Sequence, residues 1–474
     1  MKRDITSSSD LRTGDWRIDA SYHASSGMKA LRLIGEWEQK VGNYVSTLIN
    51  ICQPNGIFVP GRFRRIYVDD PERGEQWLSP SNILKADLSF PKFISKKLTG
   101  NKEMLRVYKD WLLISRSGTI GNMVYVRSDM DGMIGSDDII RVIVDKRKAL
   151  PGYVYTFLVS SIGQALIEQK AYGAVISHIE GYHVEDIPIP RLNPAIEQRI
   201  HELIEKAAKL RVEANSLIVK SQEELFYYTN LPTFSRRDIL NKGCWCFSYR
   251  GEDFGKRALT AWTYSPISRG MISNLKAINH KPLGELIVNN GIFYGGRFKR
   301  VESDPGHGVE LLNQANVFEL RPQGRWISKA SYKNLNEEMV STNTILAAAQ
   351  GTMGDNEIYG HCEFCYKNFE GKVISGHNVR IIPDVDKINP GYLYTFLSSD
   401  FGFHLLRNTS FGTKLLGFIL DLVAKIPVPI LEKDIEDSIG AQIYRAYDNR
   451  AEAILLENDA QKLLVNALGF TTTV

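Results

Sequence analysis

Two short stretches set basic side chains on either side of an aromatic ring: Gly61-Arg62-Phe63-Arg64-Arg65 and Gly296-Arg297-Phe298-Lys299-Arg300. Arginine and lysine neutralise phosphate, and a bidentate arginine also reads a guanine edge. Arg62, Arg64, Arg65, Arg297, Lys299 and Arg300 are therefore candidate phosphate contacts. A solvated surface would explain either stretch alone; the recurrence weighs for contact. A second pair, Ser115-Arg116-Ser117-Gly118-Thr119-Ile120-Gly121-Asn122 and Ala349-Gln350-Gly351-Thr352-Met353-Gly354-Asp355-Asn356, reads as glycine-pinned turns bearing hydroxyls and amides. Glycine lets backbone amides approach a phosphate closely, and Arg116 or Gln350 has the reach for a base edge. An ordinary hairpin turn is the competing explanation. A third pair, residues 170–178 and 408–414, are loops that follow a helix and agree in position but not in sequence. Divergent loops on one scaffold suit two units that read different targets. The candidates for base-side contact are Arg116, Ser117, Gly118, Thr119, Tyr172, Ser177 and His178, with Gln350, Thr352, Thr413 and Lys414.

No catalytic signature accompanies these stretches. There is no G-x-x-x-x-G-K-[ST] phosphate loop, and no G-x-G-x-x-G follows a strand to hold a methyl-donor cofactor. Asn389-Pro390-Gly391-Tyr392 faintly resembles the N-P-P-Y with which amino-methyltransferases grip a flipped adenine. It lacks the second proline, and its copy begins with Leu150, which marks a helix-entry turn. Pro383-Asp384 has no Glu-x-Lys behind it at nuclease spacing. Asp137-Asp138 aligns with His377-Asn378, and His178 and His183 have no counterparts, so the two copies share no acid or base. Cys362 and Cys365 have zinc-knuckle spacing, but their partners would be the C-x-C pair Cys244 and Cys246. With Cys52 these make five, an odd number that fits no disulfide framework. Reduced, buried or half-buried thiols are expected, with no metal and no cofactor.

The elements that must position the polar stretches are themselves duplicated. Asn55-Gly56-Ile57-Phe58 recurs 235 positions later as Asn290-Gly291-Ile292-Phe293. Pro151-Gly152-Tyr153 and Ile187-Pro188-Ile189-Pro190 recur 239 positions later as Pro390-Gly391-Tyr392 and Ile426-Pro427-Val428-Pro429. Matches in this fixed order imply one domain plus one helix, repeated. Each half opens near a helix (28–41 in the first). Short apolar runs at 111–115, 123–126 and 139–144, then 344–348 and 379–382, read as strands. Helices are expected at 153–169 and 392–406, loops at 172–183 and 409–417, and extended closing strands at the two proline-rich repeats.

Each half ends in a rod. In 194–228, Ile196, Ile200, Leu203, Ala207, Leu210, Ala214 and Leu217 alternate gaps of four and three, the narrow seam of a coiled coil. About 35 residues at roughly 1.5 Å each give a rod of about 50 Å. The counterpart runs from 432 to 468. Its equivalent seam positions are Ile435, Ile439, Gln442, Ala446, Asn449, Ala453 and Leu456, with Ile443 and Leu464 close by.

At 474 residues the chain exceeds a single core. Its 43% hydrophobic and 24% charged content is that of ordinary globular protein, and no run is long enough to span a membrane. The first sixteen residues lack the apolar core of a secretory signal, so the cytoplasm is the default compartment. A net charge of +4 is too small to argue for nucleic acid unless it is concentrated.

In this order the chain resembles the specificity subunit of type I restriction–modification systems. The residues that carry the resemblance are Ser117-Gly118-Thr119-Ile120-Gly121, Ile187-Pro188-Ile189-Pro190 and Glu197-Gln198-Arg199-Ile200, within a pattern that covers nearly the whole chain. The second half departs: Ala349-Gln350-Gly351 stands for S-x-S-G, and Glu436-Asp437 for Glu-Gln. The resemblance implies an α+β chain with pseudo-twofold internal repeat. Two tandem α/β target recognition domains, 1–193 and 232–430, are each followed by a spacer helix, 194–231 and 431–474, and the helices pair as an antiparallel coiled coil. It further implies a non-catalytic subunit that reads a bipartite target in double-stranded DNA. Two methyltransferase subunits dock on it, and an ATP-dependent restriction subunit can join. The same architecture serves other methylation-based phage-defence systems. A self-contained nuclease or methyltransferase, and a protein-interaction scaffold that never touches DNA, are the rival readings.

Overall fold

The structure, a computed structural model, describes residues 20–23, 25–42, 44–68, 70, 72–88, 92–97, 102–117, 120–171, 178–233, 248, 263–331, 335–354 and 357–469. They fall into two units, one drawn from residues 1–84, 91–212 and 452–474, the other from 85–90 and 213–451. Strands of the first are β1 (Val45–Thr47), β2 (Cys52–Phe58), β3 (Tyr67–Val68), β4 (Gly74–Leu78), β5 (Lys92–Ser95), β6 (Leu112–Ser115), β7 (Met123–Tyr125), β8 (Ile134–Gly135), β9 (Ile139–Val144) and β10 (Pro188–Pro190). Those of the second are β11 (His280–Pro282), β12 (Ile287–Tyr294), β13 (Gly308–Leu312), β14 (Arg325–Ser328), β15 (Ile345–Ala348), β16 (Cys362–Phe364), β17 (Val373–Ile374), β18 (Asn378–Pro383), β19 (Ser410–Phe411), β20 (Gly417–Phe418) and β21 (Pro427–Pro429). The longer helices are α1 (Ser26–Val41), α2 (Pro151–Val159), α3 (Ser161–Gln169), α4 (Pro194–Thr229), α5 (Pro266–Lys276), α6 (Pro390–Ser398), α7 (Asp400–Asn408) and α8 (Lys433–Leu468).

A four-stranded antiparallel sheet in the order β2-β9-β6-β7 lies in the first unit, and one in the order β12-β18-β15-β16 in the second. The repeated Asn-Gly explains itself here. Both asparagines are left-handed (Asn55 φ 56°, Asn290 φ 55°), and the register of β2 and β12 shifts across them. A Cβ on Gly56 would lie 2.8 Å from the carbonyl oxygens of Gln53 and Ile143. The motif is thus a β-bulge, where asparagine tolerates the turn and only glycine fits the close approach.

The Pro-Gly-Tyr and Ile-Pro-x-Pro repeats are one device. Pro151 and Pro390 open α2 and α6, where no amide partner is needed. A Cβ on Gly152 would meet His201 Nδ1 of α4 at 2.6 Å, and one on Gly391 would meet the Gly440 carbonyl of α8 at 2.7 Å. Tyr153 and Tyr392 then donate their buried hydroxyls to the carbonyls of Pro190 and Pro429. Those prolines end β10 and β21, which pair antiparallel with β1 and β11. The expected helices at 153–169 and 392–406 are each broken in two. Ser160 and Ser399 end one helix and cap the next, accepting from the amides of Gly163 and Gly402. Ser-x-x-Gly is the signal that periodicity alone overlooks.

Helix α4 starts on Glu197, buried, which accepts from the Leu192 amide and pairs with Arg191 at 2.8–2.9 Å. Glu436 does the same for α8, accepting from the Leu431 amide at 3.2 Å. The next residue differs. Asp437 takes Asn389 Nδ2 at 2.9 Å and Lys433 at 3.0 Å, whereas Gln198 bonds Glu202. In the first unit the early part of α4 lies along the late part of α8, joined by Lys206–Glu452 and Arg211–Glu457. In the second unit Gln442 bonds Glu224 and Arg445 pairs with Glu213. Both helices are 36 residues long.

The buried stripe keeps Ile200, Ala207 and Ala214 of the expected seam, and Leu203 is buried too, but its alternate positions are shifted by one residue. Ile200, Ile204, Ala207, Arg211, Ala214, Ile218, Ser221 and Leu225 are buried, while Leu210 and Leu217 are only half-buried. On α8 the stripe is Ile439, Ile443, Ala446, Arg450, Ala453, Glu457, Ala460 and Leu464. The gaps are still four and three, but a pattern sought among apolar residues alone slips by one residue at every second position, because it cannot count an arginine as interior. Arg211 is interior because Glu457 meets it at 2.9 Å with both side chains under 10% exposed.

Removing one member of such a pair strands a buried charge at about 3–5 kcal/mol, whereas replacing both by apolar groups is often neutral. Glu457→Leu should therefore destabilise the chain by several kcal/mol, and Arg211→Met with Glu457→Leu should recover most of it in denaturant titrations.

Candidate nucleic-acid interface

In the first unit the polar stretches meet at one end of the four-stranded sheet. Strand β6 ends at Ser115. The Arg116 amide then donates to the Asp138 carbonyl at 3.3 Å, and the Arg116 carbonyl accepts from Ile179 at 3.0 Å. Ser117 bridges to His178 across this short ladder. Arg116 pairs with Glu180, whose amide in turn donates to His183 Nδ1 at 2.9 Å. Residues 178–180 are therefore bridged chain, and 181–185 a turn of helix, within what was expected to be loop. Gly118, Thr119, Tyr172 and Ser177 lie outside the described residues.

The basic stretch reaches the same place. Arg65 pairs with Asp137 and Asp138, and its guanidinium lies 5.4 Å over the ring of buried Trp77. Phe63 packs edge-on against Trp77 at 5.6 Å. The aromatic of the motif is thus an anchor that leaves Arg62 and Arg64 exposed. The turn's Gly121 carbonyl accepts from Gln164 of α3 at 2.9 Å.

The second unit assembles its stretches in the same place on its sheet. The Ala349 amide donates to the His377 carbonyl at 2.9 Å, and Gly351 bridges to Leu416. The Gln314 side chain clamps the turn, accepting from the Gln350 amide at 3.0 Å and donating to the Gln350 carbonyl at 2.6 Å. Expected as a loop, 409–417 holds the β19–β20 hairpin, which pairs Ser410 with Phe418 and Phe411 with Gly417. Thr413 and Lys414 stand exposed at its tip, and Thr352 is exposed beside it. Tyr294 ties the hairpin to the basic stretch. Its hydroxyl donates to the Phe418 carbonyl at 3.0 Å and accepts from the Phe418 amide at 2.6 Å, three residues before Arg297. Arg297, Lys299 and Arg300 are exposed, and Phe298 is packed under them against Val309 and Ile327.

The two ends differ in charge. By strand register, Ile139 stands where Asn378 does, so Asp138 is matched by His377, one place from the alignment read in the sequence. Burial lowers the His377 pKa, and Arg300 and Arg297 lower it further. Arg65 thus sits between two carboxylates, whereas its counterpart Arg300 faces an imidazole held neutral.

Buried arginines, invisible to a search for surface clusters, hold these loops. Arg141 donates to the carbonyls of Leu105, Gly135, Ser136 and Ile139 at 2.6–3.0 Å. Its counterpart Arg380 binds Glu338, whose other oxygen accepts from the Gly296 amide at 2.8 Å. Arg407 donates to the carbonyls of Met353, Gly354, Glu357 and Tyr359 at 2.8–3.4 Å and lies 4.0 Å over Phe403. The thiols of Cys362 and Cys365 are buried and pushed up by burial, so they stay protonated; Cys244 and Cys246 lie outside the described residues. Among the described residues no helix is long and apolar enough to cross a membrane. A groove of about 580 Å³ lined by Asn289, Asn290, Lys387 and Asp421 lies beside the bulge in β12, away from the Tyr294 end.

No protein-family model matches the chain. No curated protein matches it either. Solved structures do. A type I restriction–modification S subunit from M. genitalium is 14% identical, with 90% of this chain and 96% of that one covered and a TM-score of 0.37. The HsdS subunit from Thermoanaerobacter tengcongensis is 13% identical over 90% and 97%, with a TM-score of 0.28. A structure described for complex assembly and conformational transition of the type I R-M system is 13% identical over the same shares, with a TM-score of 0.26.

Arg407→Met would remove the arginine's bonds to four backbone carbonyls, of which that of Gly354 keeps the Glu357 amide as donor. It should cost the second unit roughly 3 kcal/mol and speed hydrogen exchange across residues 353–359, while exchange in β13 and β14 stays as it was.

Proposed function

We propose that the chain is a sequence-specific DNA-binding subunit that reads a bipartite duplex and directs methyltransferase subunits to it. The observation that carries this reading is the convergence, in each unit, of a basic stretch, a glycine-bearing turn and a post-helix segment at one end of a matching sheet. That is the arrangement for holding phosphates with one set of side chains and reading base edges with another. Recognition domains at 1–193 and 232–430, related by duplication, each take one half-site. The helices at 194–231 and 431–474 pair as an antiparallel coiled coil and set the unread gap. Two methyltransferase subunits bring the methyl donor, and an ATP-dependent restriction subunit can join them in the cytoplasm. The recognition subunit itself does no chemistry, a reading supported by the commitment of its buried acids. Glu338 is spent on Arg380, and Glu363 on Arg450 and Tyr447. The same geometry serves a phage-defence methylation complex other than restriction. Purified chain that cuts or methylates duplex DNA by itself would sink this reading in favour of an enzyme.

Arg297, Lys299 and Arg300 carry uncompensated charge, so replacing all three by alanine should flatten the dependence of log affinity on log salt by about 2–3. Arg65→Ala should change it little, since Asp137 and Asp138 already offset that charge. Binding without salt dependence would favour a protein scaffold.

Inserting four residues after Leu217 lengthens α4 by about 6 Å. Methylation mapping should then show a changed gap between half-sites; an unchanged gap with binding intact would mean that the helices do not measure DNA.

A further inference from the structure

We propose that the β19–β20 hairpin carries an apolar wedge, Leu415, that enters a base step of the duplex. The proposal rests on the DNA-binding reading and adds a mode of recognition to it. Leu415 is 71% exposed and Phe411 49% exposed, on a tip in which every residue from 411 to 415 is exposed. The backbone beneath is fixed. Gly412 has φ 101°, and a Cβ there would lie 2.7 Å from the Leu415 carbonyl oxygen, so the turn needs glycine. Tyr359 bonds Ser410 Oγ at 2.7 Å and the Gly417 carbonyl at 3.1 Å from below, its ring 4.9 Å from that of Phe418. Tyr294 holds Phe418 from the other side. The Phe411 ring lies over Gly417, where a Cβ would come within 3.0 Å of it, so this half-covered ring braces the hairpin while Leu415 is presented to water.

The surroundings select the occupant. Lys414, exposed, immediately precedes Leu415 at the tip. The Leu416 amide donates to the Gly351 carbonyl at 2.9 Å, which sets the tip beside Gln350 and Thr352. Through Ala349 and His377 the same end carries Arg297 and Arg300. A rigid apolar tip on a cationic rim fits a polyanion with an apolar interior, which describes stacked base pairs. Side chains of this kind partly unstack a step and kink the duplex, and pyrimidine–purine steps yield most readily. The half-site read by the second unit should therefore contain such a step, chosen for its softness instead of its hydrogen-bonding edge.

The test uses the full chain assembled with its methyltransferase subunits and a pool of duplexes with randomised positions. The wild-type complex should select one pyrimidine–purine step at a fixed place in one half-site, with a preference of roughly tenfold over stiffer steps. Energy transfer between dyes at the ends of the selected duplex should report a bend. Leu415→Ser should abolish both the preference and the bend, Leu415→Met should retain them, and Lys414→Ala should weaken binding while keeping both. A preference and bend equally strong with Leu415→Ser, or absent from the wild-type complex that still selects a sequence, would overturn the wedge and leave DNA recognition intact. Selection of no sequence at all would overturn the recognition reading itself. Failure of the Leu415→Ser chain to assemble, seen by gel filtration, would assign the tip to a protein contact and overturn the wedge.

Discussion

Arg141 is wholly buried, and its bonded partners are backbone carbonyls. Burial pulls its pKa down to about 10, yet the guanidinium stays charged at neutral pH. A buried charge of this kind is tolerable only where dipoles are arranged around it. The loop from 134 to 139 is therefore not free to move without stranding that charge, and Asp137 and Asp138, which hold Arg65, ride on it. In the second unit Arg380 imposes the same constraint through a carboxylate. Glu338 neutralises it and uses its second oxygen to fix Gly296 at the root of the basic stretch. Gly376 fits there only because it lacks a Cβ, which would sit 2.8 Å from the Gly295 carbonyl oxygen. Both candidate interfaces are thus fixed from the inside, by interior arginines that hold the loops bearing exterior ones.

The two solutions have different electrostatic consequences. Where carbonyls are the hydrogen-bond partners of Arg141, the neighbouring loop carries a buried acid, Asp137, and a half-buried one, Asp138, and these hold Arg65. Arg116 is held in turn by Glu180, so the first unit orients these two guanidiniums at the expense of net charge, while Arg62 and Arg64 stay exposed. The second unit places its acid inside, on Glu338, and leaves Arg297, Lys299 and Arg300 uncompensated. A guanidinium fixed by a carboxylate is suited to a directional contact, and an uncompensated cluster to long-range attraction.

The fold was legible wherever a residue type answers to local geometry. Asn55-Gly56 marks a bulge, Pro151 a helix start and Glu197 a first-turn acid that ties the helix to the chain before it, and each was visible as a repeated motif before its task was known. The strands at 139–144 and 345–348 were visible as apolar runs. What stayed hidden depends on partners distant in sequence. The buried state of Arg211 requires Glu457, nearly 250 residues away, and apolar periodicity alone set every second seam position, Leu210 and Leu217, one residue aside. The anchoring role of Phe63 requires Trp77, and the division of each post-repeat helix rests on a single serine. Arg65 and Arg116 stood out as candidates by their motifs, whereas the acids that hold them, Asp137 and Glu180, carry no motif of their own.

The partly displaced seam also shows how two nearly equivalent helices avoid equivalent mistakes. Stripe positions on α4 and α8 correspond at a constant offset of 239, so Arg211 is matched by Arg450 and Ile218 by Glu457. A perfectly symmetric pairing would need an acid at 218 to meet Arg450. Ile218 stands there instead, and Arg450 turns to Glu363 at 3.3 Å, to Asn215, and to the face of Tyr447 at 4.8 Å. The buried acid–base pair therefore occurs once along the stripe. Sliding one helix by a heptad would set Arg211 against Leu464 or against Arg450, an unpaired buried charge in the first case and two like charges in the second. Either costs several kcal/mol relative to the native register. An apolar seam would be indifferent to such a slip, as leucine packs against leucine in either position. The interior arginine makes the register unique, as single polar residues do in other helical seams.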